Sequence, residues 1–250
     1  MLATERGSGG GVGSEEEGEG GGKRPDVREM FTAIAPRYDF LNHLLSFNID
    51  RLWRRTAIRQ LGWERAPRGR YLDLCSGTMD LAAALASRSG FAGQVVAADF
   101  VHPMLVLGKD KAARTAPVTA DALALPFPAN RFDGAMVGFG VRNLADLNAG
   151  LREAARVLKP GARLVILEFS TPPRQPLRAL YFLYFRRILP LIGRLVSKHM
   201  TAYTYLPESV LAFPEPDALL ERLRQAGFTA VGYRRLTGGI CACHVGEKLP

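Results

Sequence analysis

"YLDLCSGTMD", Tyr71 to Asp80, decides the fold. Four residues of strand composition run into a short turn, and "LAAALASR" behind it has strong helix propensity. A buried strand that turns through glycine into a helix is the opening unit of an α/β sheet that binds a nucleotide-like ligand. The turn is unusual in composition. Cys75, Gly77 and Met79 stand where glycine is the most orthodox residue, and only Gly77 is one. A dinucleotide needs G-x-G-x-x-G, because its pyrophosphate lies against bare backbone amides at a helix N-terminus. "SGTMDL" does not supply that.

Outward from this unit the chain alternates strand and helix. "QVVAADF" is a second buried strand ending on Asp99, and Pro103 suits the first turn of the helix that follows. "APVTADA" is a third strand and "RFDGAMVGFG" a fourth. "LNAGLREAARVLKPG" is a helix stopped by Pro160 and Gly161, and "ARLVILEFS" is a fifth strand whose continuous apolar character implies burial on both faces. "PDALLERLRQAGF" is a further helix, followed by "TAVGYRRL" and "GGICACHV" as strands. This order predicts a mostly parallel sheet with right-handed crossovers. Two regions fall outside the alternation. Asp26 to Leu61 reads as amphipathic N-terminal helices, and about 171–205 as a helical lid inserted over the sheet edge.

Composition bounds the rest. The 250 residues and 47% apolar content suit one domain, spanning 25–250. Residues 1–24, with "GSGGGVGSEEEGEGGG", cannot bury enough surface to offset their ordering entropy and read as a disordered tail. That tail has no apolar core and is acidic, so neither a signal nor a transit peptide is indicated. Three cysteines are too few for a disulfide framework, which points to the cytoplasm. No apolar run is long enough to span a bilayer. The net charge of +9 raises nucleic acid or an anionic membrane as partners. Between Thr171 and Met200 every charge is basic, and the arginines are interleaved with Leu180, Tyr181, Phe182, Leu183, Tyr184 and Phe185. Apolar bodies that sink while arginines reach headgroups suit a peripheral membrane contact better than a duplex groove.

In an open parallel sheet, ligands bind beyond the carboxyl ends of the strands. Those ends carry Asp73 to Thr78, then Asp99, then Asp121 and Ala122, then Gly138 to Asn143. S-adenosylmethionine fits this set. It has no phosphate, so one glycine suffices for the methionyl part to pass the backbone at Gly77 and Thr78. Asp99 is placed to accept from ribose hydroxyls, and Asp121 to meet an adenine amino group. Each acid taken alone also reads as a cap or turn residue; their ordered appearance at successive strand ends favours the cofactor. "CACH", Cys241 to His244, is explained by strand alternation, and no metal site is expected.

"REMFTAIAPRYDFLNHLLSFNIDRLWRR", "DALALPFPANRFDGAMVGFGVRNL", "LREAARVLKPGARLVILEFSTP", "YTYLPESVLAFPEPDALLERLRQAGF" and "LTGGICACHVGEK" resemble the methyltransferases of menaquinone and ubiquinone biosynthesis, over roughly Asp26 to Lys248. The resemblance implies a class I S-adenosylmethionine-dependent methyltransferase fold, Rossmann-like, with a seven-stranded sheet whose last strand is antiparallel. It implies cofactor contacts at Thr78, Asp99, Asp121 and Ala122, and methylation of a ring carbon of a prenylated quinol. Demethylmenaquinol is the first expectation and 2-polyprenyl-6-methoxy-1,4-benzoquinol the alternative. Two departures stand out: Gly138 replaces a serine of many relatives, and Met79 a glycine.

The chemistry asks for a phenol of pKa about 10 to be ionised about three units lower, on the order of 4 kcal/mol. Arg142 and Asn143, beyond the fourth strand, are the first candidates for that task, Arg142 by charge and Asn143 by orientation. Tyr38, with Asp39, is the next, on the N-terminal helices. Arg142 also reads as a salt-bridge residue and Asn143 as a helix cap. A nucleic-acid methyltransferase is disfavoured because "GFGVRN" stands where an Asp/Asn-Pro-Pro-aromatic motif belongs. A non-catalytic scaffold is opposed by the intact Asp99, Asp121, Arg142 and Asn143. The motifs are shared by naphthoquinol and benzoquinol enzymes, and a homo-oligomer is compatible with all of this.

Overall fold

The computed structural model describes residues 27–35, 46, 48–111, 113–188 and 201–250. The acidic tail and Tyr38, Asp39, His43 and His199 lie outside the described residues. The chain order is α1 (Val27–Ile34), α2 (Asp50–Leu61), β1 (Arg70–Leu74), α3 (Asp80–Ala86), β2 (Gln94–Asp99), α4 (His102–Gly108), β3 (Thr115–Thr119) and β4 (Phe132–Gly138). It continues with α5 (Leu147–Val157), β5 (Leu158–Phe169), α6 (Leu177–Leu183), a π-helical turn (Tyr184–Ile188), α7 (Thr201–Ala212), α8 (Pro216–Gln225), β6 (Phe228–Leu236) and β7 (Cys241–Lys248).

The strands form one seven-stranded sheet in the order β3-β2-β1-β4-β5-β7-β6. β1 to β5 pair in parallel, and β7 runs antiparallel to both β5 and β6. The antiparallel last strand is as expected. Strand order reverses at β1, whose neighbours are β2 and β4, so the crevice opens beyond the carboxyl ends of those three strands. β1 is buried from Tyr71 to Leu74, which is why its sequence is a continuous apolar run around Asp73.

Each sheet face has its own core. On one side Trp53, Ile58 and Leu61 of α2 pack with Leu81 and Leu85 of α3; on the other, Leu151 and Ala154 of α5 pack with Leu219 and Leu223 of α8. Trp53 is further pinned by its Nε1–H, which donates to Thr237 Oγ1 at 2.8 Å. Gly108 ends α4 against the turn after β1: a Cβ there would stand 2.4 Å from the Thr78 carbonyl oxygen. The helix can approach the loop that closely only without a side chain at this position.

Two boundaries differ from the sequence reading. α5 stops at Val157, before Pro160 and Gly161, because Leu158 already pairs with Phe132 at the start of β5 and a residue preceding proline favours extended backbone. The lid helix α7 runs to Ala212, past the expected end near 205, despite the internal Pro207.

His244 of β7 is buried. Its Nε2 lies 3.1 Å from the Pro216 carbonyl, its Nδ1 has no hydrogen-bond partner among the described residues, and its ring faces Tyr233. Burial pushes its pKa down to about 4. The imidazole is therefore neutral in the fold at pH values where the unfolded chain takes up a proton, and stability is lost as pH falls from about 6.5 towards 4. The full effect is about 3 kcal/mol. His244→Phe keeps the ring and removes the titration. Relative to wild type, it should gain up to that amount between pH 7 and 4.5 in urea unfolding; a constant difference across this range would assign the acid sensitivity to other groups.

Candidate functional site

The loop after β1 explains its own composition in backbone terms. Cys75, Gly77 and Met79 have φ of 52°, 52° and 64°, so all three orthodox glycine positions keep left-handed backbone although two carry side chains. Such a conformation costs a non-glycine residue about 1–2 kcal/mol. Burial offsets that at Met79, which is 1% exposed within the core on the α3 side, its methyl end near Gly108. Cys75 abuts Gly140, where an added Cβ would stand 2.3 Å from its own, and burial raises its thiol pKa well above the ordinary range. It is half-buried and lines two cavities.

Asp99 ties the strand ends together. Its Oδ2 accepts from Gly77 N and its Oδ1 from Val101 N, each at 2.8 Å. Each oxygen keeps a second lone pair for a ligand, and burial holds the carboxyl pKa above its ordinary value. Asp121 accepts from Leu123 N at 2.9 Å, shaping the turn that presents Ala122.

Two cavities meet at this crevice. The larger, about 1040 Å³, is walled by Asp99, Asp121 and Ala122 on one side and by Arg142, Asn143 and Tyr205 on another. The smaller lies against Cys75, Gly77, Gly138 and Phe139, with Asp99 its one ionisable acid and no basic side chain among the described residues. Asn143 and Asp99 belong to both. Serine at Gly138 would need Leu81 to move, since a Cβ there comes within 2.8 Å of its Cδ1.

Asp73 and Thr78 are placed differently from Gly77, Asp99, Asp121 and Ala122. Both are buried and reach neither cavity wall. Asp73 accepts from Ala82 N at 2.9 Å, in the first turn of α3, and burial pushes its pKa up to about 7, with Asp80 and Asp99 adding to the rise. It positions the loop from below. Arg142 and Asn143 are both on the wall of the larger cavity. Arg142 is bound to Glu168 at 2.8 Å, with side chains 6% and 1% exposed, and it also donates to the Phe139 carbonyl. Its Nε has no partner among the described residues. The Asn143 Oδ1 accepts from Tyr205 Oη at 2.9 Å.

Sequence reasoning missed Glu168, Arg54 and Tyr205. Glu168 sits inside the apolar run "ARLVILEFS", where one buried acid was the available signal. Arg54 bridges Asp50 and Asp80, at 3.3 and 3.2 Å, and lies over Phe139. Asp80 also holds Lys111 at 2.6 Å, so this acid is committed to ion pairs rather than to a ligand.

The donor set suits S-adenosylmethionine. Around the loop Arg54 and Lys111 are engaged by Asp80, while Asp99 keeps lone pairs for a ligand and Ser76 Oγ is buried without a partner among the described residues. In the smaller cavity Asp99 stands with no basic side chain among the described residues, which favours a sulfonium and an ammonium over a pyrophosphate. Together with the sheet order, this defines a class I S-adenosylmethionine-dependent methyltransferase.

The chain belongs to the ubiE/COQ5 methyltransferase family, whose model matches residues 19–248. It is 52% identical over 223 residues to the demethylmenaquinone methyltransferase of Thermus thermophilus, covering 88% of this chain and 100% of that protein. It is 44% identical to the ubiquinone/menaquinone biosynthesis C-methyltransferase UbiE of Geobacter sulfurreducens, covering 89% of this chain and 88% of the relative. Among solved structures, a S-adenosylmethionine-dependent methyltransferase of Thermotoga maritima, described as a possible histamine N-methyltransferase, aligns with a TM-score of 0.59 at 18% identity, over 88% of this chain and 99% of that one. That likeness carries the fold alone.

The Met79 side chain points into the core rather than at the cavities. Met79→Gly should therefore leave S-adenosylmethionine affinity within about twofold in calorimetry. Lost packing, about 2–5 kcal/mol for a buried methionine, exceeds the relief of left-handed strain, so the variant should unfold at lower urea. A tenfold gain in affinity would place Met79 against the cofactor instead.

Proposed function

We propose that this chain transfers the methyl group of S-adenosylmethionine to a ring carbon of a prenylated quinol, with demethylmenaquinol as the acceptor. The observation that carries this reading is the 52% identity extending over the whole of the Thermus relative. 2-Polyprenyl-6-methoxy-1,4-benzoquinol is the second acceptor, favoured by the two-quinone name of the Geobacter relative.

Bound S-adenosylmethionine supplies an electrophilic methyl on a sulfonium. Asp99, Gly77, Asp121 and Ala122 hold it across the strand ends, and the larger cavity leaves room for a flat ring beside it. Because Tyr205 occupies the Asn143 carbonyl oxygen, the amide nitrogen is left to donate to a quinol oxygen as charge develops there. Arg142 acts from behind. Its charge is already balanced by Glu168, so it contributes orientation and a fixed dipole more than a free positive charge. Reduced demethylmenaquinol and the benzoquinol, offered separately to the enzyme and analysed by product mass, test the assignment. Methylation of the naphthoquinol with higher kcat/KM is the expected outcome, and the reverse preference moves the enzyme to the benzoquinol.

The acceptor resides in a bilayer, so the enzyme works at a membrane surface. No helix among the described residues is long and apolar enough to cross one. α6 and the π-helical turn supply a docking face: Leu180, Leu183 and Ile188 are 59%, 53% and 43% exposed, while Arg178 and Arg186 lie over the Phe182 ring. Exposed apolar side chains flanked by arginines suit an anionic interface. At low salt the protein should pellet with phosphatidylglycerol vesicles, and Leu180→Asp with Leu183→Asp should abolish this. Equal recovery of both forms in the pellet would remove the face from membrane contact.

A further inference from the structure

Methylation of a quinol carbon needs a group to receive the hydroxyl proton as the ring becomes nucleophilic. Among the described residues, three carboxylates reach the larger cavity: Asp99, Asp121 and Glu208. Asp99 accepts from two backbone amides and Asp121 from one, and both stand at the strand ends that hold the cofactor's nucleoside. Glu168 is buried behind the wall, engaged by Arg142 and by Phe169 N. Glu208 is different: it is exposed on the lid helix α7, on the cavity wall, and makes no hydrogen bond or ion pair with any described residue.

Its placement follows from Tyr205, three residues earlier on the same helix. Residues three apart share a helix face, with Cβ atoms about 5–6 Å from each other. Tyr205 is anchored by its bond to Asn143, and Asn143 lines both cavities. Glu208 therefore sits about one helical turn from the junction where an acceptor ring in the larger cavity faces the smaller one. The cations on the same wall are Arg28 of α1, Arg142, and Arg222 of α8, which is held by Asn148 at 3.0 Å.

We propose that Glu208 is the general base that takes the acceptor's hydroxyl proton, an inference that rests on the quinol reading above. The quinol O–H bond breaks, the proton passes to the Glu208 carboxylate, and the electron pair left on oxygen drives the ring carbon onto the methyl. The sulfur keeps the pair of the broken S–CH3 bond. The dienone formed loses its ring C–H proton to water, and the oxygen recovers its proton from Glu208. One proton is released per methyl transferred, and the carboxylate is restored.

Glu208→Gln removes the base with little change in shape at an exposed position. It should lower kcat by about 10²- to 10⁴-fold, with S-adenosylmethionine affinity unchanged. Contact is read without turnover. Wild type should bind 1-naphthol more tightly than 1-methoxynaphthalene, and Glu208→Ala should bind the two equally. A Glu208→Gln kcat within twofold of wild type, a rise in KM alone, or hydroxyl preference persisting in Glu208→Ala overturns the proposal. If wild type methylates neither quinol, the functional reading falls instead, while the naphthol comparison still reads Glu208.

Discussion

Everything at the crevice depends on one carboxylate. Asp99 closes β2 and, through Gly77 N, holds the turn that closes β1, so two strand ends and the loop between sheet and helix are set by a pair of 2.8 Å bonds. Asp99 also lines both cavities. A group that builds the site and also lines it is held in place before any ligand arrives, which is the condition for tight binding at low entropic cost. It also explains the tolerance of the loop for Cys75 and Met79. With Gly77 N fixed by Asp99 from the ligand side and Ala82 N fixed by Asp73 from the core side, the left-handed backbone is over-determined, and side chains that would normally resist it are carried.

The second layer of the site is electrostatic. Arg54 and Lys111 are drawn to Asp80, and Arg142 to Glu168, so these three cations are neutralised locally. Asp99 and Asp121 remain on the cavity walls. The net charge of +9 is therefore a poor guide to the active site, whose larger cavity sets Asp99, Asp121 and Glu208 against Arg28, Arg142 and Arg222. The buried Arg142–Glu168 pair has a further consequence. Removing Arg142 strands a carboxylate that is 1% exposed, and such a loss typically destabilises by 3–5 kcal/mol. Inactivity of an arginine variant here thus mixes folding with chemistry.

What was legible in the sequence was whatever the strand-end rule locates. Gly77, Asp99, Asp121, Ala122, Arg142 and Asn143 all follow strands whose apolar runs are unmistakable, and they converge because parallel strands share one carboxyl edge. Asp73 was legible as a position but not in its partner: the strand rule puts it at the edge, and its side chain meets Ala82 N in the first turn of α3. Glu168, Tyr205 and Glu208 were not legible, since each enters from an element far away in the chain and its meaning lies in a partner no periodicity reveals. The left-handed backbone at Met79 was hidden for the opposite reason, because residue statistics argue against it.

The lid contributes two kinds of surface through one segment. Its outer side, at Leu180, Leu183 and Ile188, is apolar and exposed, whereas its inner side places Tyr181 and Phe185 with Val210 in a small core of their own. That core couples α6 to α7, and α7 in turn reaches Asn143 through Tyr205. A path of packed side chains and one hydrogen bond therefore runs from the lid to the residue that lines both cavities. Glu208 rides on the same helix, one turn from the Tyr205 that is bonded to Asn143 of "GFGVRN".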